Sequence, residues 1–188
     1  MNDLRIEILE ERKDVSSLLF LIEVPLQDGK SHMVEHLIAK DLLPLLASHG
    51  FQLYAESGLG YTLFHITGAE PLTHDLLLQI YQSIFQKTFS EESFQAEKNV
   101  VAEEIKKDYE DPHRYIGERM YRLILGSSVL GDISQVQQLP LPQVVQFYHR
   151  YYVTGNTVIV TNHDAYVCSP CVSLITEGRS ALTVAPRH

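Results

Sequence analysis

The amino-acid sequence predicts an α+β fold in which helices pack on one face of a mostly antiparallel sheet. Several short segments consist of alternating or continuous apolar residues bounded by glycine, proline or polar residues, which is the pattern of strands. Longer segments repeat apolar residues every three or four positions, which is the pattern of amphipathic helices. The segments follow the order strand, strand, helix, hairpin, helices and strand, and this order favours a layer of helices on a sheet.

Two strands are expected before the first helix. Residues 4–8 alternate apolar and charged side chains, which indicates a half-buried strand. Residues 18–24, LLFLIEV, are nearly all apolar, so we expect a central strand that is covered on both faces. Pro25 and the Asp28-Gly29 pair then break the pattern and predict a loop that leads into the first helix.

The first predicted helix covers residues 31–42. Pro44 either kinks this helix or starts a second short one, and Gly50 is a typical helix stop. Residues 53–57 and 61–67 are both strand-like and flank two glycines. They therefore predict a hairpin.

The rest of the sequence predicts further helices and a last strand. An apolar stripe predicts a helix over residues 73–86. Ser90 is a favourable N-cap for the next helix. This helix should end at Asp111-Pro112, because a proline disfavours the helical conformation of the residue before it. The remaining predicted elements are helices near residues 114–125 and 141–152 and a strand, TVIVT, at residues 157–161.

The bulk properties favour one globular domain and weigh against two classes of partner. The chain has 188 residues, of which 45% are hydrophobic and 21% charged, so we expect a single domain over residues 1–188. Its net charge of −9 is unfavourable for binding nucleic-acid phosphates, and no apolar run is long enough to cross a bilayer. The N-terminal segment is too highly charged for a secretory signal, so a cytoplasmic location is expected.

Residues 29–40, GKSHMVEHLIAK, contain the most informative pattern. On a helix, His32 and His36 are four residues apart, so their imidazoles share one face and can reach one metal ion. Glu35 lies about 60° to the side, where its carboxylate can approach a metal-bound water. Two neutral imidazoles suit zinc and the carboxylate suits a general base, in the inverted order H-x-x-E-H. A solvated polar helix face with two surface histidines is the alternative interpretation.

A catalytic zinc site needs a third protein ligand, and two glutamates are candidates. Glu97 and Glu104 are seven residues apart on one predicted helix, on a stripe that also carries Phe94 and Val101. That stripe should face inward, where an unpaired carboxylate is costly and needs a cation or a donor. A solvated acidic face that includes the neighbouring acidic residues is the alternative.

With these residues, the chain resembles the pitrilysin (insulinase-like) metallopeptidases, which include the mitochondrial processing peptidases. That family carries the inverted motif and, further along, a glutamate in the pattern E-(R/K)-x-x-V-x-x-E, which AEKNVVAEEI supplies here. The residues that the resemblance implies are the zinc ligands His32, His36 and Glu104 for one zinc ion per chain, the catalytic base Glu35, and a supporting catalytic carboxylate, Glu97. Choosing Glu104 over Glu103 depends on the register of this motif.

The resemblance covers nearly the whole sequence and also implies a substrate-binding strand. By analogy with the family, an extended peptide substrate pairs with an edge strand at Tyr54, Ala55, Glu56 and Ser57. The family usually has asparagine where Tyr54 stands and threonine where Ser57 stands, so both are departures. The family also combines two or four such domains around a chamber. We therefore expect a homodimer, or a heterodimer with a related domain.

The predicted function is that of a zinc-dependent endopeptidase subunit, which hydrolyses small or unfolded peptides once a second subunit completes the chamber. The alternative within the same family is a non-catalytic partner subunit. A different hypothesis is a redox or metal-carrier module that uses Cys168 and Cys171, which form a C-x-x-C. Two reduced thiols in a turn are the simpler interpretation of that pair.

Overall fold

The computed structural model describes residues 4–9 and 15–167, which form a five-stranded sheet and a layer of helices. The strands are β1 (Arg5–Ile8), β2 (Ser16–Glu23), β3 (Gln52–Gly58), β4 (Tyr61–Gly68) and β5 (Thr157–Thr161). The helices are α1 (Lys30–Ala47), α2 (His74–Phe85), α3 (Glu91–Glu110), α4 (Pro112–Leu125), α5 (Ile133–Gln138) and α6 (Leu141–Tyr151). Two 3-10 turns lie at Thr154–Asn156 and Asp164–Val167.

The sheet is mostly antiparallel, as the sequence predicts. Its strand order is β1-β5-β2-β4-β3, and β1 with β5 forms the parallel pair. β2 is the central strand: Phe20 pairs with Phe64 of β4 on one side and with Ile159 of β5 on the other. The predicted hairpin is the β3–β4 pair, which places β3 at one edge of the sheet.

The core lies on one face of the sheet, under the helices. Leu18, Phe20 and Ile22 of β2 are fully buried, and they share a core with side chains of α1, α2, α3 and α6. Leu19 and Leu21 point to the opposite face and are only partly buried. The predicted layer of helices on one face is therefore confirmed. The expectation that this strand is covered on both faces is wrong for the described residues, because the helices pack against the even-numbered side chains.

Two local features differ from the predicted pattern. Pro44 lies inside α1, which continues to Ala47, so no second helix starts there. A proline in a helix removes one backbone donor, and the last turns of α1 keep their other hydrogen bonds, such as Ser48 N–H to the carbonyl of Pro44 at 3.1 Å. The short helix α5 was not predicted. Its start is marked by Asp132, whose backbone N–H donates to Gln135 Oε1 at 2.9 Å, as in a capping box.

Two expectations can be compared with the structure only as far as the described residues extend. Across the ranges that the structure describes, none of the helices has the length and apolar character needed to span a membrane. Cys168 and Cys171 lie outside these ranges. The redox hypothesis therefore stays a prediction from sequence.

Candidate metal centre and active site

Two glycine-containing loops fix the start of α1. Gly29, at the N-cap of α1, has a φ of 79°, in the left-handed region that favours glycine, and a Cβ there would lie 2.5 Å from the carbonyl oxygen of Leu130. Gly131 has a φ of 76°, and a Cβ there would lie 2.9 Å from the backbone of Asp28. The two loops therefore touch backbone to backbone, and this close approach determines where the motif residues of α1 lie.

α1 brings the two motif histidines together. His32 is buried, with 3% of its surface exposed, and His36 is partly buried. Their Nε2 atoms are 3.1 Å apart and their rings meet edge to face, with centroids 4.6 Å apart. The alternative interpretation, a solvated helix face with two surface histidines, is therefore not what the structure contains.

Glu104 of α3 completes this cluster. Its Oε2 lies 2.9 Å from Nε2 of His36 and 3.7 Å from Nε2 of His32. One ligand atom from each of the three residues lies within 4.8 Å of the other two. Glu103 is exposed instead and forms an ion pair with Lys106 at 3.8 Å. The geometry thus brings together the three residues of the sequence motifs and leaves Glu103 outside.

The three converging atoms fit a zinc ion. Imidazole nitrogens and a carboxylate oxygen are ordinary zinc ligands, and a set of three leaves room for a further ligand. When the Nε2 atoms of two neutral imidazoles face each other, they form a hydrogen bond only if one Nε2 carries a hydrogen and donates it. That donating Nε2 then cannot act as an acceptor. A cation at the centre would be faced by three lone pairs, one each from His32, His36 and Glu104.

The charges around the cluster favour a cation. Burial lowers the pKa of His36, but its hydrogen bond to Glu104 and the carboxylates of Glu35 and Glu97 outweigh this effect, so its pKa is raised. The imidazoles of His32 and His36 hold the pKa of Glu104 well below its usual range. Glu104 is therefore held as a carboxylate against the two imidazoles, and a carboxylate with two imidazole nitrogens is a ligand set that suits a divalent cation.

Glu35 lies beside the cluster as a buried carboxyl group. It is 8% exposed, and burial raises its pKa, an effect that the imidazoles of His32 and His36 oppose. The buried hydroxyl of Ser57 also opposes this rise, although Ser57 Oγ forms no hydrogen bond of standard geometry within the described residues. A carboxyl group whose pKa is raised by burial is better suited to accept and return a proton.

Glu97 lies behind His36 and does not face the point where the three ligand atoms converge. It is 8% exposed, and its Oε2 lies 3.6 Å from Nδ1 of His36, the ring nitrogen remote from Glu104. Its other oxygen, Oε1, pairs with Nζ of Lys40 at 3.0 Å. Lys40 was not singled out in the sequence. Its spacing of four residues from His36 on α1 was the available signal.

The four predicted substrate-binding residues divide between the two faces of β3. Ala55 and Ser57 point toward the helices, since they pair with buried Phe64 and Thr62 of β4. Tyr54 and Glu56 point to the opposite face. There the hydroxyl of Tyr54 donates to Glu56 Oε2 at 2.5 Å, and the hydroxyl of Tyr61 donates to Glu56 Oε1 at 2.9 Å. The hydroxyl of Ser57 opposes the rise that burial causes in the pKa of Glu35. The hydrogen bond to Glu56 raises the pKa of Tyr54, and Glu35 in turn adds to that rise.

A cleft adjoins the end of β3, and sequence reasoning did not find it. Its volume is about 650 Å³, and it lies between the β3–β4 turn and α4. Its lining includes Ser57, Tyr61, Glu118, Tyr121 and Leu130. Burial raises the pKa of Glu118, whose Oε2 is buried without a hydrogen-bond partner of standard geometry within the described ranges. Ser57 belongs both to this lining and to the surroundings of Glu35, whereas His32, Glu35, His36 and Glu104 do not line the cleft.

Comparison with known sequences gives one curated relative. No family model matches the chain. The chain is 28% identical over 151 residues to the "uncharacterized zinc protease YmxG" of Bacillus subtilis (strain 168). This match covers 73% of this chain and 37% of that protein. This chain therefore spans little more than a third of the length of that relative.

Comparison with solved structures gives several peptidase folds. A protease from Helicobacter pylori, 18% identical, superposes with a TM-score of 0.77 over 100% of this chain and 50% of its own. The periplasmic protease PqqL from Escherichia coli, 20% identical, gives a TM-score of 0.77 over 100% of this chain and 24% of its own. A peptidase M16 inactive domain from Pseudomonas fluorescens, 10% identical, gives 0.78 over 99% and 51%. This chain thus spans about half of two of these three solved chains and about a quarter of the third.

Proposed function

This chain has the fold of one pitrilysin-like (M16-like) peptidase domain, and we propose that it is the zinc-binding half of an endopeptidase. The observation that carries the proposal is the convergence of His32 Nε2, His36 Nε2 and Glu104 Oε2 beside the buried carboxyl group of Glu35. The similarity to a zinc protease of Bacillus subtilis supports the choice of zinc.

In the proposed site, His32, His36 and Glu104 hold the metal. Zinc supplies Lewis-acid polarisation of a scissile carbonyl and of a water when it is bound there. Glu35 takes the proton of the attacking water and passes it to the leaving amine. Its raised pKa suits both halves of this role, because the carboxylate must bind the proton and then release it.

An extended peptide is the proposed substrate. β3 is an edge strand whose outer backbone groups form no ladder with another strand of the described residues, so a peptide can add beside it. Recognition through the main chain gives little preference for sequence, and it requires a substrate that is small or unfolded. Ser57 links this edge to Glu35, so a peptide that pairs with β3 lies next to the proposed base.

A second domain of the same fold is the proposed partner. This chain spans about half of two of the solved chains that it matches, and the second half of similar length in those chains supports a two-domain arrangement. α4 supplies a surface for contact, because Ile116, Leu123 and Ile124 are each more than half exposed. The second domain can come from another copy of this chain or from a related chain.

The test is cleavage of a quenched fluorescent peptide library by the purified chain, with and without a metal chelator, together with its solution mass. Glu35→Gln should reduce the rate by about 100- to 10,000-fold, because the base is lost, while bound zinc is retained. A Glu35→Gln variant that cleaves as fast as the wild type would exclude Glu35 as the base. Glu103→Gln is the matched control, since Glu103 is an exposed glutamate close to the site, and it should keep its activity.

A non-catalytic subunit is the second candidate function, because one of the solved structures with this fold is an inactive M16 domain. This alternative predicts no chelator-sensitive cleavage by the wild-type chain at any concentration, even where zinc is bound. Chelator-sensitive cleavage that rises with the dimer fraction would support the endopeptidase and exclude the non-catalytic role.

A further inference from the structure

Lys40 occupies the end of a chain of charged groups that leads to the metal cluster. It lies one helical turn after His36 on α1, and its Nζ is 3.0 Å from Oε1 of Glu97. Oε2 of Glu97 is 3.6 Å from Nδ1 of His36, and Nε2 of His36 is 2.9 Å from Oε2 of Glu104. Lys40, Glu97, His36 and Glu104 therefore follow one another, each in contact with the next.

The pairing of Glu97 with Lys40 answers an electrostatic requirement. Glu97 is buried, and a buried carboxylate needs a compensating charge or donors. Lys98, its neighbour on α3, does not supply this charge at close range, since its Nζ donates to the carbonyl of Leu139 at 3.1 Å. Lys40 has a side chain that is 40% exposed, so its ammonium group stays partly hydrated while it pairs with Glu97.

The pairing also fixes which way the carboxylate of Glu97 points. With Oε1 held by Lys40, Oε2 is the oxygen directed at Nδ1 of His36. A carboxylate beside Nδ1 favours the tautomer in which Nδ1 carries the proton, and Nε2 then presents its lone pair to the cluster. The separation of 3.6 Å is longer than a hydrogen bond, so the effect of Lys40 on His36 should be moderate.

We propose that Lys40 is a positioning residue, which orients Glu97 and through it His36, and thereby strengthens zinc binding by His32, His36 and Glu104. This inference depends on the zinc site of the proposed function. The simple electrostatic effect of Lys40 has the opposite sign, because a positive charge near the cluster repels a divalent cation. The direction of the change in zinc affinity therefore distinguishes positioning from long-range charge.

The experiment is a measurement of the zinc dissociation constant by competition with a chromophoric chelator, at one pH, on protein freed of metal. Lys40→Met should weaken zinc binding about tenfold, which is the low end for residues that orient a metal ligand. Lys40→Arg keeps the charge and should restore most of the affinity, a recovery that general damage to the fold would not give. Lys106→Met is the control for charge removal at an exposed ion pair, and it should bind zinc like the wild type.

A double substitution tests the route through Glu97. If Lys40 acts through Glu97, then Lys40→Met added to Glu97→Gln should change the affinity no further than Glu97→Gln alone. Unchanged or tighter binding by Lys40→Met would overturn the inference and leave the zinc site standing. If Lys40→Met weakened zinc binding equally in the wild-type chain and in the Glu97→Gln variant, the inference would be overturned too. A wild-type chain that binds no zinc would overturn both the zinc site and the role of Lys40.

Discussion

Helices α1 and α4 depart from the usual distribution of side chains in opposite directions. α1 buries polar groups: His32 is 3% exposed and Glu35 is 8% exposed. α4 exposes apolar groups: Leu123 is 81% exposed and Ile124 is 71% exposed, and none of its fourteen residues, all of which the structure describes, is buried. Buried ionisable side chains and exposed apolar surface both cost free energy unless they have a partner, so each helix is a candidate for binding something. For α1 we infer a metal ion, and for α4 a protein surface.

The two helices are also held in place by different forces. α1 packs its apolar side chains into the core beneath the sheet, where Leu37, Ile38 and Leu42 are buried. α4 is fastened by polar contacts: Arg122 donates to Asp132 Oδ2 at 2.7 Å and to Ser128 Oγ at 2.8 Å. The site residues of α1 are therefore fixed by packing, whereas the position of α4 depends on a small polar network.

The largest expected effect is on metal binding. His36→Ala and Glu104→Gln should each reduce zinc affinity by about 100-fold or more, because each removes one of three protein ligands. Glu103→Gln should leave it unchanged, since Glu103 is exposed and pairs with Lys106. Chelator competition measures all three. Equal losses from Glu103→Gln and Glu104→Gln would show that the cluster is not the binding site.

The next prediction compares the effect of the same leucine-to-alanine substitution on stability in the two helices. Leu42→Ala on α1 should lower the free energy of unfolding by about 2–5 kcal/mol, because it leaves a cavity at a fully buried position. Leu123→Ala on α4 should change it by less than about 0.5 kcal/mol, because the side chain is already exposed. Urea unfolding of the metal-free monomer measures both. A large loss for Leu123→Ala in the monomer would mean that α4 is part of the core.

A charge placed on α4 should act on association and not on folding. Leu123→Glu and Ile124→Glu should weaken self-association or binding to a related domain, since each puts a carboxylate into an apolar contact. Leu43→Glu is the control, because Leu43 is a half-exposed leucine on the outer surface of α1. Sedimentation velocity over a range of concentrations gives the comparison. If all three variants associate like the wild type, α4 is not the contact surface.

The smallest effect concerns the network beside α4. Burial raises the pKa of Tyr109 to about 12, and its hydroxyl donates to Asp132 Oδ1 at 3.1 Å. Since this pKa is raised above the unfolded value of about 10, its contribution to stability is present below pH about 10 and is lost as pH rises toward 12. Tyr109→Phe should therefore make the free energy of unfolding less sensitive to pH in that window. Unfolding measured across alkaline pH tests this, and an unchanged slope contradicts it.

The sequence by itself determined most of the secondary-structure elements and pointed to the residues of the candidate metal cluster. The strands and the longer helices follow from local patterns of apolar residues, capping residues and proline. The spacing of four between His32 and His36 predicted a shared helix face, and the structure brings them to 3.1 Å. The assignment of Glu104 needed the register of a motif, because helical spacing alone treats it and Glu97 as two positions on one stripe.

Tertiary structure alone decided where these residues lie relative to one another. α3 crosses α1 so that Glu104 faces Nε2 of His36 and Glu97 faces its Nδ1, and only this crossing brings Lys40 to Glu97. The exposure of α4 was also beyond sequence reasoning, since an amphipathic pattern states which face is apolar and not what covers it. The physical reason is that periodicity fixes directions within one element, whereas distances between elements depend on how the helices pack on the sheet.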